Sequence, residues 1–121
     1  MMKILEAGFR VYCRPDDLER QIAFYERAQN TNCDRRIPIP ETGVVAAKVG
    51  SFLVLAGPDE VLAPVREVIA IFWVDSLDEF LSWLPAEGAT TLHGPRTIVG
   101  GRNATVRHRD GLVVEYFEAA T

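Results

Sequence analysis

Asp16-Asp17-Leu18-Glu19, followed by Ile22 and Phe24, returns 59 residues later as Asp75-Ser76-Leu77-Asp78, followed by Leu81 and Trp83 (77 − 18). Each copy sets a carboxylate or hydroxyl ahead of a leucine and then spaces apolar residues as a helix does, so each reads as a helix start. The chain has 121 residues. A repeat of about 60 residues in such a length makes two half-domains of one domain, and two such halves can enclose a ligand cavity between their sheets. The expected organisation is a single domain over 1–121, with half-modules 1–57 and 66–121 and a linker at 58–65.

Working outward, Leu5 to Arg14 reads as a strand that Pro15 ends by withdrawing a backbone donor. Asp16 is the expected N-cap of a helix over 16–28, with Leu18, Ile22 and Tyr25 or Phe24 on its buried stripe and Asn30 to Asn32 as its stop. Arg35-Arg36-Ile37-Pro38-Ile39-Pro40 suits an edge strand or a loop, because proline cannot donate to a central ladder. Val44 to Val49 and Phe52 to Ala56 should pair across Gly50-Ser51. In the second half, Val68 to Val74 reads as a covered strand, and Ser76-Leu77-Asp78-Glu79 as a capping box for a helix to about Leu84 that Pro85 and Gly88 stop. Thr90 to Leu92, Thr97 to Val99, Asn103 to Arg109 and Leu112 to Glu118 complete it as strands, with turns at Gly100-Gly101 and Asp110-Gly111.

The formal charge of −4 gives no attraction to polyanions, which argues against nucleic-acid binding. No apolar run approaches the roughly 20 residues of a membrane span and no leader segment is evident, so the expected location is cytoplasmic. Cys13 and Cys33 form neither a CxxC pair nor a Cys/His grouping, so neither a disulfide framework nor a zinc site is indicated. Gly100-Gly101 lacks the strand-to-helix context of a phosphate loop, and nothing sets His93 or His108 beside an activated hydroxyl.

Asp17-Leu18-Glu19-Arg20-Gln21-Ile22-Ala23-Phe24-Tyr25 is similar to the "D-L-x-x-S-x-x-F-Y" helix opening of the vicinal oxygen chelate superfamily. Gly101-Arg102, followed by Arg109-Asp110-Gly111-Leu112-Val113-Val114-Glu115, is similar to that group's closing "G-R…D-P-D-G-N-x-x-E" hairpin. The group includes glyoxalase I, extradiol dioxygenases and bleomycin-resistance proteins. The resemblance implies an α+β fold, two βαβββ modules forming a curved mixed sheet around a cleft. It also implies metal ligands at four positions, which fall here on Arg10, Ile69, Val54 or Leu55, and Glu115. Only Glu115 can bind a metal, since a guanidinium repels a cation.

Strand alternation then sets Arg10 and Tyr12 on the cleft face of the first strand, Ile69, Ile71 and Trp73 on its counterpart, and Val113, Glu115 and Phe117 on the last strand. These eight residues are the expected ligand-binding set. Arg10 and Glu115 admit two explanations: a donor fork and its support for a ligand, or a salt bridge that replaces the metal cross-link. No catalytic residue, metal or cofactor is expected. The resulting expectation is a non-enzymatic protein of the bleomycin-resistance type that sequesters an aromatic or hydrophobic small molecule such as an antibiotic. The alternative is a metal-dependent lyase, isomerase or dioxygenase with a rearranged site. The resemblance implies a homodimer.

Overall fold

The computed structural model describes residues 2–121, and its backbone contacts divide them into two units, each described by itself. The first unit, Gly8–Glu67, carries most of β1 (Ile4–Cys13), α1 (Leu18–Gln29), β2 (Arg35–Ile39), β3 (Val44–Val49), β4 (Phe52–Ala56) and the single-turn helix α2 (Asp59–Leu62). The second takes in Val68–Thr121 with β5 (Ala70–Val74), α3 (Leu77–Trp83), β6 (Thr90–Ile98), β7 (Gly101–Arg107) and β8 (Val113–Ala119). The architecture is α+β, with a βαβββ module in each half.

The two modules pair their strands in the same way. In the first, β1 runs parallel to β4, which continues antiparallel to β3 and then to β2 at the edge. In the second, β5 runs parallel to β8, followed antiparallel by β7 and β6. α1 covers one face of its sheet through Leu18 and Ile22, which pack with Cys13, Ala47, Val49 and Val54. α3 does the same through Leu77 and Phe80, with Leu84 of the 3-10 turn that follows it (Leu84–Glu87), against Ala70, Val74, Val106, Val114 and Tyr116. The repeat holds to the residue, since α1 begins at Leu18 and α3 at Leu77.

Gln29 ties α1 to the β3–β4 hairpin. Its Nε2 donates to the Val49 carbonyl at 2.9 Å and its Oε1 accepts from the Ser51 N–H at 2.8 Å. Gly50, at φ +57, leaves the room: a Cβ there would meet the Gln29 amide.

Several expectations are corrected. Asp16 is not the cap of the first helix, because Pro15–Asp17 wind into a 3-10 turn and Asp17 becomes the N-cap with helical dihedrals and no side-chain bond. Ser76 does cap, its Oγ accepting from the Glu79 N–H at 3.3 Å. Thr90 to Leu92 and Thr97 to Val99 belong to one strand, β6, which stays paired with β7 through register shifts on either side of His93. The strand before the Asp110-Gly111 turn is Gly101–Arg107, because His108 closes the turn by donating its N–H to the Leu112 carbonyl. The chain through Ala7 groups with the second unit, so the division does not fall at the linker alone. Lys3 and Asp75 show why: the Lys3 N–H donates to Asp75 Oδ1 at 2.7 Å and the Asp75 N–H to the Lys3 carbonyl at 3.1 Å.

Ser76→Ala should therefore cost about 1 kcal/mol of unfolding free energy, the usual loss for an N-cap. Asp16→Ala, at an exposed residue that caps nothing, should fall within roughly 0.5 kcal/mol of wild type. Urea titration of both variants checks the contrast, and equal losses would contradict it.

Candidate functional site

Parallel pairing decides which side chains share a face. Tyr12 stands opposite Leu55, and Ile71 stands opposite Glu115. The two registers correspond, so the position left open between Val54 and Leu55 is Leu55; Val54 packs under α1 instead.

In the first unit the face away from α1 is occupied by the chain that follows β4. Leu62 is buried there with Val44 and Leu55, and Tyr12, Leu53 and Val61 pack against them. The Tyr12 hydroxyl donates to the Val65 carbonyl at 2.8 Å. The Arg10 and Arg66 guanidinium groups lie 5.4 Å and 5.8 Å from the centre of its ring, close enough for cation–π attraction. Leu62 and Val65 therefore cover what the sequence suggests as open cleft lining around Tyr12.

In the second unit Ala70, Phe72 and Val74 face α3, which leaves Ile71 and Trp73 on the other face. Val114 and Tyr116 likewise face α3, leaving Val113, Glu115 and Phe117 opposite. Ile69 precedes β5 between buried Val68 and Ala70, so alternation sets it on the same side as Ile71 and Trp73, where it is 52% exposed.

Two polar residues that sequence reading passed over join Glu115. Asn103 and Thr105 on β7 stand opposite Phe117 and Glu115, and all three polar side chains are buried. Asn103 Nδ2 donates to Glu115 Oε2 at 2.9 Å. Asn103 Oδ1 is buried without a hydrogen-bond partner, an uncommon condition for a buried acceptor. Counting back from a two-residue Asp110-Gly111 turn sets Val106 opposite Glu115; the turn takes in Arg109 as well, and that shift brings Thr105 opposite Glu115. Arg10 belongs to the first unit and Glu115 to the second.

The donor set does not fit a metal of the kind the resemblance implies. The four corresponding positions hold Arg10, Leu55, Ile69 and Glu115, and divalent ions in such sites take several imidazole or carboxylate ligands. Among the described residues, no three His, Cys, Asp or Glu side chains group as a ligand set.

The helix side of the second sheet carries a groove of about 920 Å3, lined by Phe72, Phe80, Trp83, Leu84, His108 and Tyr116 among others. His108 Nε2 and the Tyr116 hydroxyl are 2.7 Å apart. Burial pushes the Tyr116 phenol up to about 12.

No protein-family model and no curated protein matches the chain. Among solved structures, an uncharacterised protein from Methanosarcina mazei is 43% identical, with 98% of this chain and 94% of that one aligned at a TM-score of 0.87. Methylmalonyl-CoA epimerase from Mycobacterium tuberculosis is 17% identical over 98% of this chain and 88% of its own, at a TM-score of 0.67. A Streptomyces coelicolor methylmalonyl-CoA epimerase variant in complex with 2-nitronate-propionyl-CoA is 17% identical over 98% and 100%, at a TM-score of 0.70. The shared fold is that of the vicinal oxygen chelate superfamily.

The Tyr116 phenol is held neutral in the fold, so its contribution to stability is complete below the ordinary value of 10.0 and is lost as pH rises toward about 12. Wild type should lose stability through that window relative to Tyr116→Phe, read by chemical denaturation at stepped pH. Phenolate absorbance should show one late-titrating tyrosine that the variant lacks.

Proposed function

The chain belongs to one family with the Methanosarcina mazei protein, on the vicinal oxygen chelate fold, and from that premise we propose that it is a small-molecule-binding protein of the bleomycin-resistance type. The observation that carries the reading is the buried Glu115–Asn103 pair with Thr105, set on the same face as Ile71 and Trp73. Apolar and aromatic area with a few placed polar groups is the usual composition of a ligand site. Trp73 offers a flat surface for an aromatic ligand, and Asn103 Oδ1 offers an acceptor for its N–H or O–H. A homodimer, a cytoplasmic location and sequestration of an antibiotic belong to the same proposal. Among the described residues no helix is long and apolar enough to cross a membrane.

One observation favours a second reading, metal-dependent isomerisation: the likeness in fold to two methylmalonyl-CoA epimerases. Against it stands the donor set at the four positions.

Trp73 and Trp83 are the chain's two tryptophans, so Trp83→Phe leaves Trp73 as the only indole reporter. Titration of that variant with bleomycin should give a saturable fluorescence change that Glu115→Gln weakens at least tenfold. Deuterium exchange at the acidic carbon of methylmalonyl-CoA in heavy water, dependent on added divalent metal, would favour the second reading and overturn the first.

A further inference from the structure

The groove on the helix side of the second sheet lies on the opposite face from Glu115. α3 has 7 residues and runs directly into a 3-10 turn over Leu84–Glu87, whose Leu84 and Glu87 form part of the groove wall. Phe72 and Tyr116, joined edge to face at 5.4 Å between ring centres, line the groove beside α3. Phe80 and Leu84 add apolar wall, and Trp83, 43% exposed, stands at its side.

The polar groups are arranged asymmetrically. Tyr116 is buried, and its hydroxyl hydrogen needs an acceptor; His108 Nε2 is the partner present. In the tautomer in which the phenol donates to Nε2, the Nδ1 N–H is the ring's remaining donor. Nδ1 has no protein hydrogen-bond partner among the described residues. Lys3 and Arg109, and also Glu87 and Asp110, line the same groove. Asp110 is already engaged, its Oδ1 accepting from the Leu112 N–H at 3.0 Å. The Arg109 stem crosses Gly88, where a Cβ would come within 3.1 Å of its Cδ, so the absence of a side chain at Gly88 gives the arginine its place.

We propose that this groove is a second ligand site, separate from the Glu115 face, for a planar aromatic carboxylate whose ring packs against Phe72 and Trp83 and whose oxygens accept from His108 and Arg109. The volume suits a small ligand, since such sites commonly run to about 300–1,000 Å3. An aromatic ring supplies area to the apolar wall, and a carboxylate supplies the acceptors that the guanidinium fork and the imidazole N–H require.

The test uses 2-naphthoate as probe and the two tryptophans as reporters of opposite faces. In Trp73→Phe, which keeps Trp83, 2-naphthoate should quench the fluorescence saturably; in Trp83→Phe, which keeps Trp73, it should not. Arg109→Ala, at an exposed residue, should weaken binding at least fivefold without altering the fold, and His108→Gln should weaken it further. Naphthalene-2-methanol, without the carboxylate, should bind at least tenfold more weakly. Quenching confined to Trp73, an affinity unchanged by Arg109→Ala, or no saturation up to the solubility of the probe would each overturn the proposal. Loss of bleomycin binding would bear only on the Glu115 face, so the two readings fail separately.

Discussion

Parallel pairing between the first and last strand of each module is the constraint on which the other features rest. β1 with β4, and β5 with β8, cannot be joined by a tight turn; the chain must leave the sheet, cross as a helix and return through an antiparallel run. That route puts α1 and α3 on one face of their sheets and fixes which residues of the closing strand share a face with the opening one. A slip of one residue would exchange the faces outright, moving Glu115 under α3 and Tyr116 away from it. The chemistry of the second unit therefore depends on a register that the packing of Val74, Val106 and Val114 under α3 holds in place.

The same topology has been filled differently in the two modules. In the first, the residues after β4 fold back over the strands, so that Leu62 buries against Leu55 and Val65 takes the Tyr12 hydroxyl. Aliphatic side chains now stand around the position where the second module keeps a carboxylate. In the second, β7 supplies Asn103 and Thr105 around Glu115. The duplication thus preserves strand order and parity, while side-chain composition separates an apolar face from a polar one.

How much of this was legible follows from what each feature depends on. Alternation and helical spacing are local, and they placed Ile71, Trp73, Val113, Glu115 and Phe117 together on one side of their strands. Strand ends and caps depend on a residue or two of competing geometry: Pro15 favours a 3-10 turn and thereby deprives Asp16 of its role, and His108 leaves β7 to close the turn against Leu112. The unity of β6 could not be read, because Gly94 and Pro95 read as breakers, yet the pairing with β7 resumes at Arg96 beyond them. The groove was invisible as well. It arises where α3 and the 3-10 turn after it stand beside β5 and β8, and from a contact between His108 and Tyr116 across the Asp110-Gly111 turn.

Burial makes the two faces of the second sheet ask for opposite partners. A buried carboxylate is costly unless donors reach it, and Asn103 supplies one through its amide hydrogens. Spending those hydrogens on Glu115 leaves the amide oxygen as the unmet group, so the Glu115 face gains most from a ligand or water that donates. On the α3 side the Tyr116 hydroxyl pairs with His108 Nε2, and in the tautomer that lets the phenol donate, Nδ1–H is the donor left over. That side gains from an acceptor. One β8 strand carries both arrangements on successive residues, Glu115 and Tyr116, so the alternation that builds the sheet also separates the two binding chemistries.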